Sequence, residues 1–240
     1  SALRERDARC RFVCRDHPGA LLELVRERGF DLEVLPLEAD RVGSSQVEGF
    51  AHGAWVGGDA LEDAGATARS IEEDAADGGV VDHYGLGVQW ESVARRRGCR
   101  LLTIDDLADR AHDCEILLDQ TPGRMRDDYA PWVREDTELL LGEDYALLRP
   151  EFRALRDAAL ERRGAGPVEH VLISMGGSDP KGFTAQVLDA LETLPSRLAF
   201  RVTAVMNSRS PALDAVRERA AHATRETRVL CDVRDMAALM

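Results

Sequence analysis

The chain has 240 residues, 44% of them hydrophobic, which is ample for one large or two small cores. Its formal net charge of −13 argues against a nucleic-acid backbone as partner, and no apolar run approaches the roughly 20 residues needed to span a bilayer or the pattern of a signal peptide. Cys10, Cys14, Cys99, Cys114 and Cys231 are scattered, with no C-x-x-C pair, so neither a disulfide framework nor a zinc knuckle is expected and the expected compartment is the reducing cytoplasm.

In chain order, strands are predicted at 11–15 and 31–37 around a helix near 20–28, at 79–82 and 100–104 around a helix near 90–97, and at 116–118. Residues 39–59 form a long Gly-rich stretch without periodicity, which reads equally as a functional lid or as disorder. A charged helix at 149–163 runs into Gly164-Ala165-Gly166-Pro167. The rhythm then restarts with strand 168–174, helix 181–194, strand 198–205, helix 211–221 and strand 228–231. Strands separated by helices imply parallel α/β sheets. The Gly/Pro cluster divides the chain into domains 1–163 and 167–240, and the expected architecture is two doubly wound domains facing a cleft.

The run Val171-Leu172-Ile173-Ser174-Met175-Gly176-Gly177-Ser178-Asp179-Pro180 couples a buried strand to a tight turn and a helix start. Free backbone N–H groups at a helix start suit a phosphate, and an ordinary capped turn is the alternative. The spacing matches neither G-x-G-x-x-G nor the Walker pattern, so a mononucleotide kinase or ATPase is not indicated.

Ligands of open parallel sheets sit beyond the carboxyl ends of strands. That rule selects Asp82-His83-Tyr84, Asp105-Asp106 and Asp119-Gln120 beside the glycine turn. Tyr84 could donate a hydrogen bond to a leaving oxygen, and His83 or a neighbouring Asp could move protons near neutral pH; turn and capping roles are the competing reading. Adjacent residues of an extended segment point opposite ways, so Asp105-Asp106 reads as a cap before Leu107-Ala108-Asp109 rather than as a carboxylate pair. His112-Asp113-Cys114 lacks metal-site spacing and reads as structural, and His17-Pro18-Gly19 reads as a turn. His52 and Trp55 are candidate cleft residues of the long loop. No G-x-S-x-G elbow or Cys-His pairing supports covalent acyl chemistry.

Five strings in order, Val81-Asp82-His83-Tyr84-Gly85-Leu86, Ile104-Asp105-Asp106-Leu107-Ala108-Asp109-Arg110, Leu117-Leu118-Asp119-Gln120, Tyr145-Ala146-Leu147-Leu148-Arg149-Pro150-Glu151-Phe152 and Gly176-Gly177-Ser178-Asp179-Pro180, resemble the UDP-2,4-diacetamido-2,4,6-trideoxy-β-L-altropyranose hydrolases of pseudaminic acid biosynthesis. The resemblance implies an α/β fold of the GT-B kind, a pair of Rossmann-like parallel-sheet domains facing a cleft. It implies a metal-free, cofactor-free reaction in which water attacks the anomeric carbon of the UDP-sugar, UDP leaves and the free 2,4-diacetamido sugar is released. On that resemblance Gly176, Gly177, Ser178 and Asp179 approach the diphosphate, Val233 in Cys231-Asp232-Val233-Arg234-Asp235-Met236 contacts uracil, and Tyr84 faces the sugar or leaving group.

The departures from the family pattern bear on mechanism. The family's Gly-x-Gly-His loop, whose His is its proposed base, has no counterpart here, and neither does its later Gly-Gly-Ser-Thr segment; the expectation is an internal fragment, truncated at both ends and inactive by itself. Thr121 and Gly182 stand where Asn is usual. A related GT-B glycosyltransferase and a non-catalytic sugar-nucleotide-binding module are the competing functions.

Overall fold

The computed structural model describes residues 2–17, 20–38, 52–95, 98–164, 166–176, 179 and 181–240. They form two compact units, 1–147 and 148–240. The first contains β1 (Arg11–Arg15), α1 (Leu22–Glu27), β2 (Asp31–Leu35), α2 (Ala60–Glu73), β3 (Gly78–Asp82), α3 (Val88–Arg95), β4 (Arg100–Ile104), β5 (Ile116–Asp119), α4 (Arg126–Tyr129) and β6 (Glu138–Leu141). The second contains α5 (Pro150–Arg163), β7 (His170–Ile173), α6 (Phe183–Glu192), β8 (Arg201–Met206), α7 (Leu213–His222) and β9 (Thr227–Cys231).

Every described pairing is parallel, in sheets ordered β1-β2, β3-β4-β5-β6 and β7-β8-β9. The all-parallel α/β class read from the strand–helix alternation is therefore the observed one. β8, in the middle of its sheet, buries five successive residues from Val202 to Met206, as a strand covered on both faces must. The second unit's core gathers Ile173, Leu188, Val202, Ala204, Met206, Leu213 and Val216. In the first unit Leu101 and Leu117 of the central strands pack with Ala64 of α2, Trp90 and Ala94 of α3 and Tyr129 of α4. Each fully buried leucine of this kind contributes about 1.5–3 kcal/mol.

The first unit differs from a single doubly wound sheet, since β1-β2 and the four-stranded sheet are separate ladders. Side chains tie them. Arg15 of β1 reaches Asp63 of α2 at 2.8 Å and the Pro36 carbonyl, while the other Asp63 oxygen accepts from Trp90 Nε1 at 2.8 Å.

Helix α2 has no counterpart among the elements predicted from periodicity. Its start is set by Asp59, whose carboxylate accepts the Leu61 and Glu62 N–H groups at 2.8 and 3.0 Å. Its buried face is Ala64, Ala68 and Ser70, so small residues take the place of the large aliphatics that make a helical period visible.

The domain division also falls elsewhere than at the Gly/Pro cluster. The units separate between Leu147 and Leu148, ahead of α5. Pro150 opens this helix, and Gly164 closes it with its N–H on the Leu160 carbonyl at 3.2 Å. The cluster thus carries out a helix stop, a local task with the same composition as a linker. Arg149, at the helix start, donates to the Arg234 carbonyl of the same unit at 3.1 Å.

Candidate functional site

Parallel register brings the carboxyl ends of β3, β4 and β5 level, with Asp82 opposite Ile104 and Ile104 opposite Leu118. The residues that follow these strands therefore lie side by side. Tyr84, just past β3, is half-buried; its ring centroid lies 5.8 Å from that of His52 and 6.0 Å from that of Trp55, and these two are 4.5 Å apart. Burial first, then a hydrogen bond to Asp106 and the nearby Asp82 and Asp105 carboxylates, push the phenol pKa up to about 12. Tyr84 is thus a neutral phenol whose proton is held by Asp106. Donation to a leaving oxygen requires the ligand to displace that carboxylate.

His83 is not a proton carrier. Its Nδ1 accepts the Gly85 N–H at 3.0 Å and its ring bonds the Trp55 backbone, so Nε2 carries the hydrogen and both nitrogens are in use. Burial lowers its pKa, keeping it neutral. Its task is to shape the turn that presents Tyr84. A pocket of about 380 Å³ is lined by His17, Ala54, Trp55 and His83. His17 makes the turn read from the sequence, with Ala20 N–H on its carbonyl at 2.9 Å. Its ring lies against Gly57, where a Cβ would sit 2.5 Å from the imidazole and φ is +68°, so only glycine fits. Of the long stretch 39–59, residues 39–51 lie outside the described residues; His52 and Trp55 sit with Tyr84, and Asp59 starts α2.

Beneath this surface lies a buried polar network. Asp105 and Asp106 do face opposite ways, but Asp105 caps a turn and not a helix: its Oδ2 accepts the Leu107 and Ala108 N–H groups at 3.2 and 3.0 Å, and no helix follows. The Tyr129 hydroxyl lies 2.9 Å from both Asp105 Oδ2 and Asp119 Oδ2, and Arg110 Nη1 lies 2.7 Å from Asp105 Oδ1. Burial opposes ionisation of Asp105, but the Ala108 N–H, Arg110 and Tyr129 outweigh it and hold the carboxyl below the usual range. His112 bonds Glu91 at 2.8 Å with both side chains fully buried, and Glu91 also accepts from Thr103 at 2.9 Å. Asp119 accepts from Arg124 at 2.5 Å and from the Thr121 N–H at 2.7 Å, and Gln120 accepts the Leu147 N–H at 3.0 Å. Among the described residues no group of three or more His, Cys, Asp or Glu is placed to hold a metal ion, and no helix is long and apolar enough to cross a membrane.

In the second unit the loops after β7, β8 and β9 lie at one end of the sheet. Gly176 takes φ +79°, and a Cβ at this position would meet nothing within 4 Å, while Gly177 and Ser178 lie outside the described residues. Asp179 corrects the expectation of free amides at the helix start. It is buried, at 3% exposure, and its carboxylate accepts the N–H groups of Phe183 and Thr184 at 2.8 and 2.9 Å. The protein's own anion therefore occupies the first turn of α6, and burial of Asp179 is outweighed by these bonds, which hold its pKa low. Val233 is half-buried and follows Asp232, whose φ is +54° and whose carboxylate accepts the Ser208 N–H at 3.0 Å.

The strand-end rule passed over Arg110, which is buried and bonds the Leu86 carbonyl just past Tyr84. Its signal was faint, one cation among Asp105, Asp106 and Asp109.

No family model matches the chain. It is 30% identical, over 122 residues, to the UDP-2,4-diacetamido-2,4,6-trideoxy-β-L-altropyranose hydrolase of Campylobacter jejuni, an alignment covering 50% of this chain and 42% of that protein. It is 32% identical, over 109 residues, to the spore coat polysaccharide biosynthesis protein SpsG of Bacillus subtilis, covering 45% of this chain and 31% of that one. The alignments thus span less than half the length of either curated relative. Among solved structures, Acinetobacter baumannii MurG superposes over 99% of this chain and 63% of its own, with a TM-score of 0.56 at 15% identity. The hydrolase resemblance carried by the five strings is borne out in these alignments, and the likeness to MurG bears out the GT-B-like class of fold.

Proposed function

We propose that the protein acts on a UDP-linked 2,4-diacetamido-2,4,6-trideoxy sugar, cleaving the anomeric C–O bond so that UDP leaves and water supplies the new hydroxyl. The observation that carries this reading is Tyr84, held at the carboxyl end of a parallel strand with its phenol on Asp106 and the rings of His52 and Trp55 beside it. Aromatic faces suit the apolar faces of a sugar ring, and a neutral phenol suits an oxygen on which charge develops. The name of the Campylobacter jejuni relative supplies the substrate class. No metal enters the proposal.

For UDP, the reading uses the loops after β7 and β9. Asp179 already occupies the Phe183 and Thr184 amides, so the diphosphate is assigned to the amides of the Gly176, Gly177 and Ser178 turn itself, and uracil to the segment at Val233. Tyr84 serves the sugar or leaving oxygen. His83 is excluded as the water-activating base by its two engaged nitrogens.

The test follows UDP release from the diacetamido-altrose nucleotide without an acceptor, in a full-length protein that includes the family's Gly-x-Gly-His loop. Tyr84→Phe is expected to lower kcat more than UDP affinity, because the phenol is assigned to the reacting end. Gly177→Val is expected to weaken UDP binding with the fold intact. Release only with a sugar acceptor would make the protein a glycosyltransferase; UDP binding without turnover would make it a sugar-nucleotide-binding module.

A further inference from the structure

We propose that Arg110 is a positioning residue for Tyr84, a buried guanidinium that fixes the turn carrying the tyrosine against the turn carrying its partner Asp106. The assignment of Tyr84 to the reaction rests on the function proposed above; the clamp itself rests on geometry. Arg110 is 2% exposed. Its Nε donates to the Leu86 carbonyl at 2.7 Å and its Nη2 approaches the His83 carbonyl at 3.5 Å, the two ends of the segment that holds Tyr84. On its other side Nη1 lies 2.7 Å from Asp105 and donates to Asp109 at 3.0 Å. Asp105 is in turn fixed by the Tyr129 hydroxyl and the Leu107 and Ala108 amides. One planar group therefore spans the turns after β3 and β4.

Packing alone does not ask for this residue. A buried ion pair gains little over an apolar pair of the same volume, because both charges lose their water. What a guanidinium does and an apolar side chain cannot is hold several oxygens in fixed directions at once. The oxygens held here by directed bonds are the Leu86 and His83 carbonyls and Asp109, with Asp105 drawn in as an ion pair, and together they set the turn of Tyr84 against the turn of Asp106. Lysine retains the charge but supplies a single point of attachment, so Arg110→Lys separates the geometry of the clamp from its field.

The test is carried out on the whole protein in Arg110→Lys and Asp105→Asn. The three tyrosines, Tyr84, Tyr129 and Tyr145, are followed by NMR of ring-labelled tyrosine, and Tyr84→Phe assigns the Tyr84 signal. In a folded Arg110→Lys protein, Tyr84 is expected to ionise at a lower pH than in the wild type, because the contribution of its Asp106 bond weakens while that of burial remains. UDP release is expected to fall about tenfold or more in kcat with KM changed by less than about twofold, as for misplacement of a reacting group. If Arg110→Lys does not fold, the split between kcat and KM in Asp105→Asn decides, because loss of the Asp105 charge by itself lowers the Tyr84 pKa. An unchanged Tyr84 titration in a folded Arg110→Lys protein overturns the clamp, as does loss of the fold in both variants, which would make Arg110 a folding residue only. A full-length protein that includes the Gly-x-Gly-His loop and still shows no UDP release sinks the hydrolase reading and leaves the tyrosine titration to decide the clamp alone.

Discussion

The turns after β3 and after β7 occupy equivalent places, each at the carboxyl end of a strand in a parallel sheet, yet they are held by different means. Below the Tyr84 turn, Arg110, Asp105, Tyr129 and Asp119 form a chain of buried charged and polar groups that crosses from β3 to β5. The turn after β7 is tied to its helix by Asp179, through two backbone amides, and Met175 and Gly176 are exposed. A network of side chains fixes the direction of another side chain; a single cap leaves the neighbouring backbone on display. The first arrangement suits a residue that must meet a reacting atom, and the second suits a turn that offers amides to an anion.

This contrast can be broken by stability measurements that separate the units. Trp55, Trp90 and Trp132 all lie in the first unit, so tryptophan fluorescence follows that unit while far-UV circular dichroism follows both. The largest effect is expected from Asp105→Ala, which leaves Arg110 buried without its main partner and should cost the first unit about 3–5 kcal/mol. A loss below about 1 kcal/mol in denaturant unfolding would mean that the network is not a brace.

Acid is expected to act next most strongly, and more on the first unit. Burial keeps His83 neutral, so the unfolded chain takes up this proton first and stability declines as pH falls below about 6.5. Asp105, Asp113 and Glu115 are held ionised below their usual range, so their contribution persists above roughly pH 4 and is lost as pH falls through their lowered folded values. In the second unit the same signs apply to His170, lowered by burial and Arg201, and to Asp179. Equal midpoint shifts of the two units between pH 7 and 3 would remove the distinction.

Asp179→Ala should cost about 1 kcal/mol, the value of a helix cap, and leave the fluorescence midpoint unchanged. By freeing the Phe183 and Thr184 amides it also tests the anion assignment: tighter UDP binding in the variant would place the phosphates at the first turn of α6, and unchanged or weaker binding would leave them at the preceding turn. The smallest effect on stability is expected from Tyr84→Phe, roughly 0.5 kcal/mol for one half-buried hydrogen bond. A loss of several kcal/mol there would make Tyr84 part of the brace and not what the brace holds.

Much of the fold was legible locally. Buried parallel strands such as β8 are near-continuous apolar runs, and β1 and β4 have the bounds that the sequence pattern predicts, 11–15 and 100–104. Helix α2 escaped because alanine and serine form its buried face, and the Gly/Pro cluster after α5 imitated a domain linker because a helix stop uses the same residues. At the site, the strand-end rule reached Tyr84, and the alternation of an extended segment separated Asp105 from Asp106. Arg110 was missed because its partners, the carbonyls of His83 and Leu86, lie 27 and 24 positions away.

The sequence by itself determined the alternation of strands and helices, hence the parallel sheets, and which polar residues follow the strand ends, because these follow from periodicity and chain geometry over a few residues. The tertiary structure alone decided which partner each polar group took. His83 became a turn-former because the Gly85 amide and the Trp55 backbone claimed its nitrogens. Asp179 became the anion of α6 because its carboxylate reached two amides that a phosphate would otherwise meet. Arg110 became a clamp because the register of β3 against β4 set two turns within reach of one guanidinium. Such choices are competitions among donors and acceptors brought together by strand register, and local periodicity carries no record of who wins them.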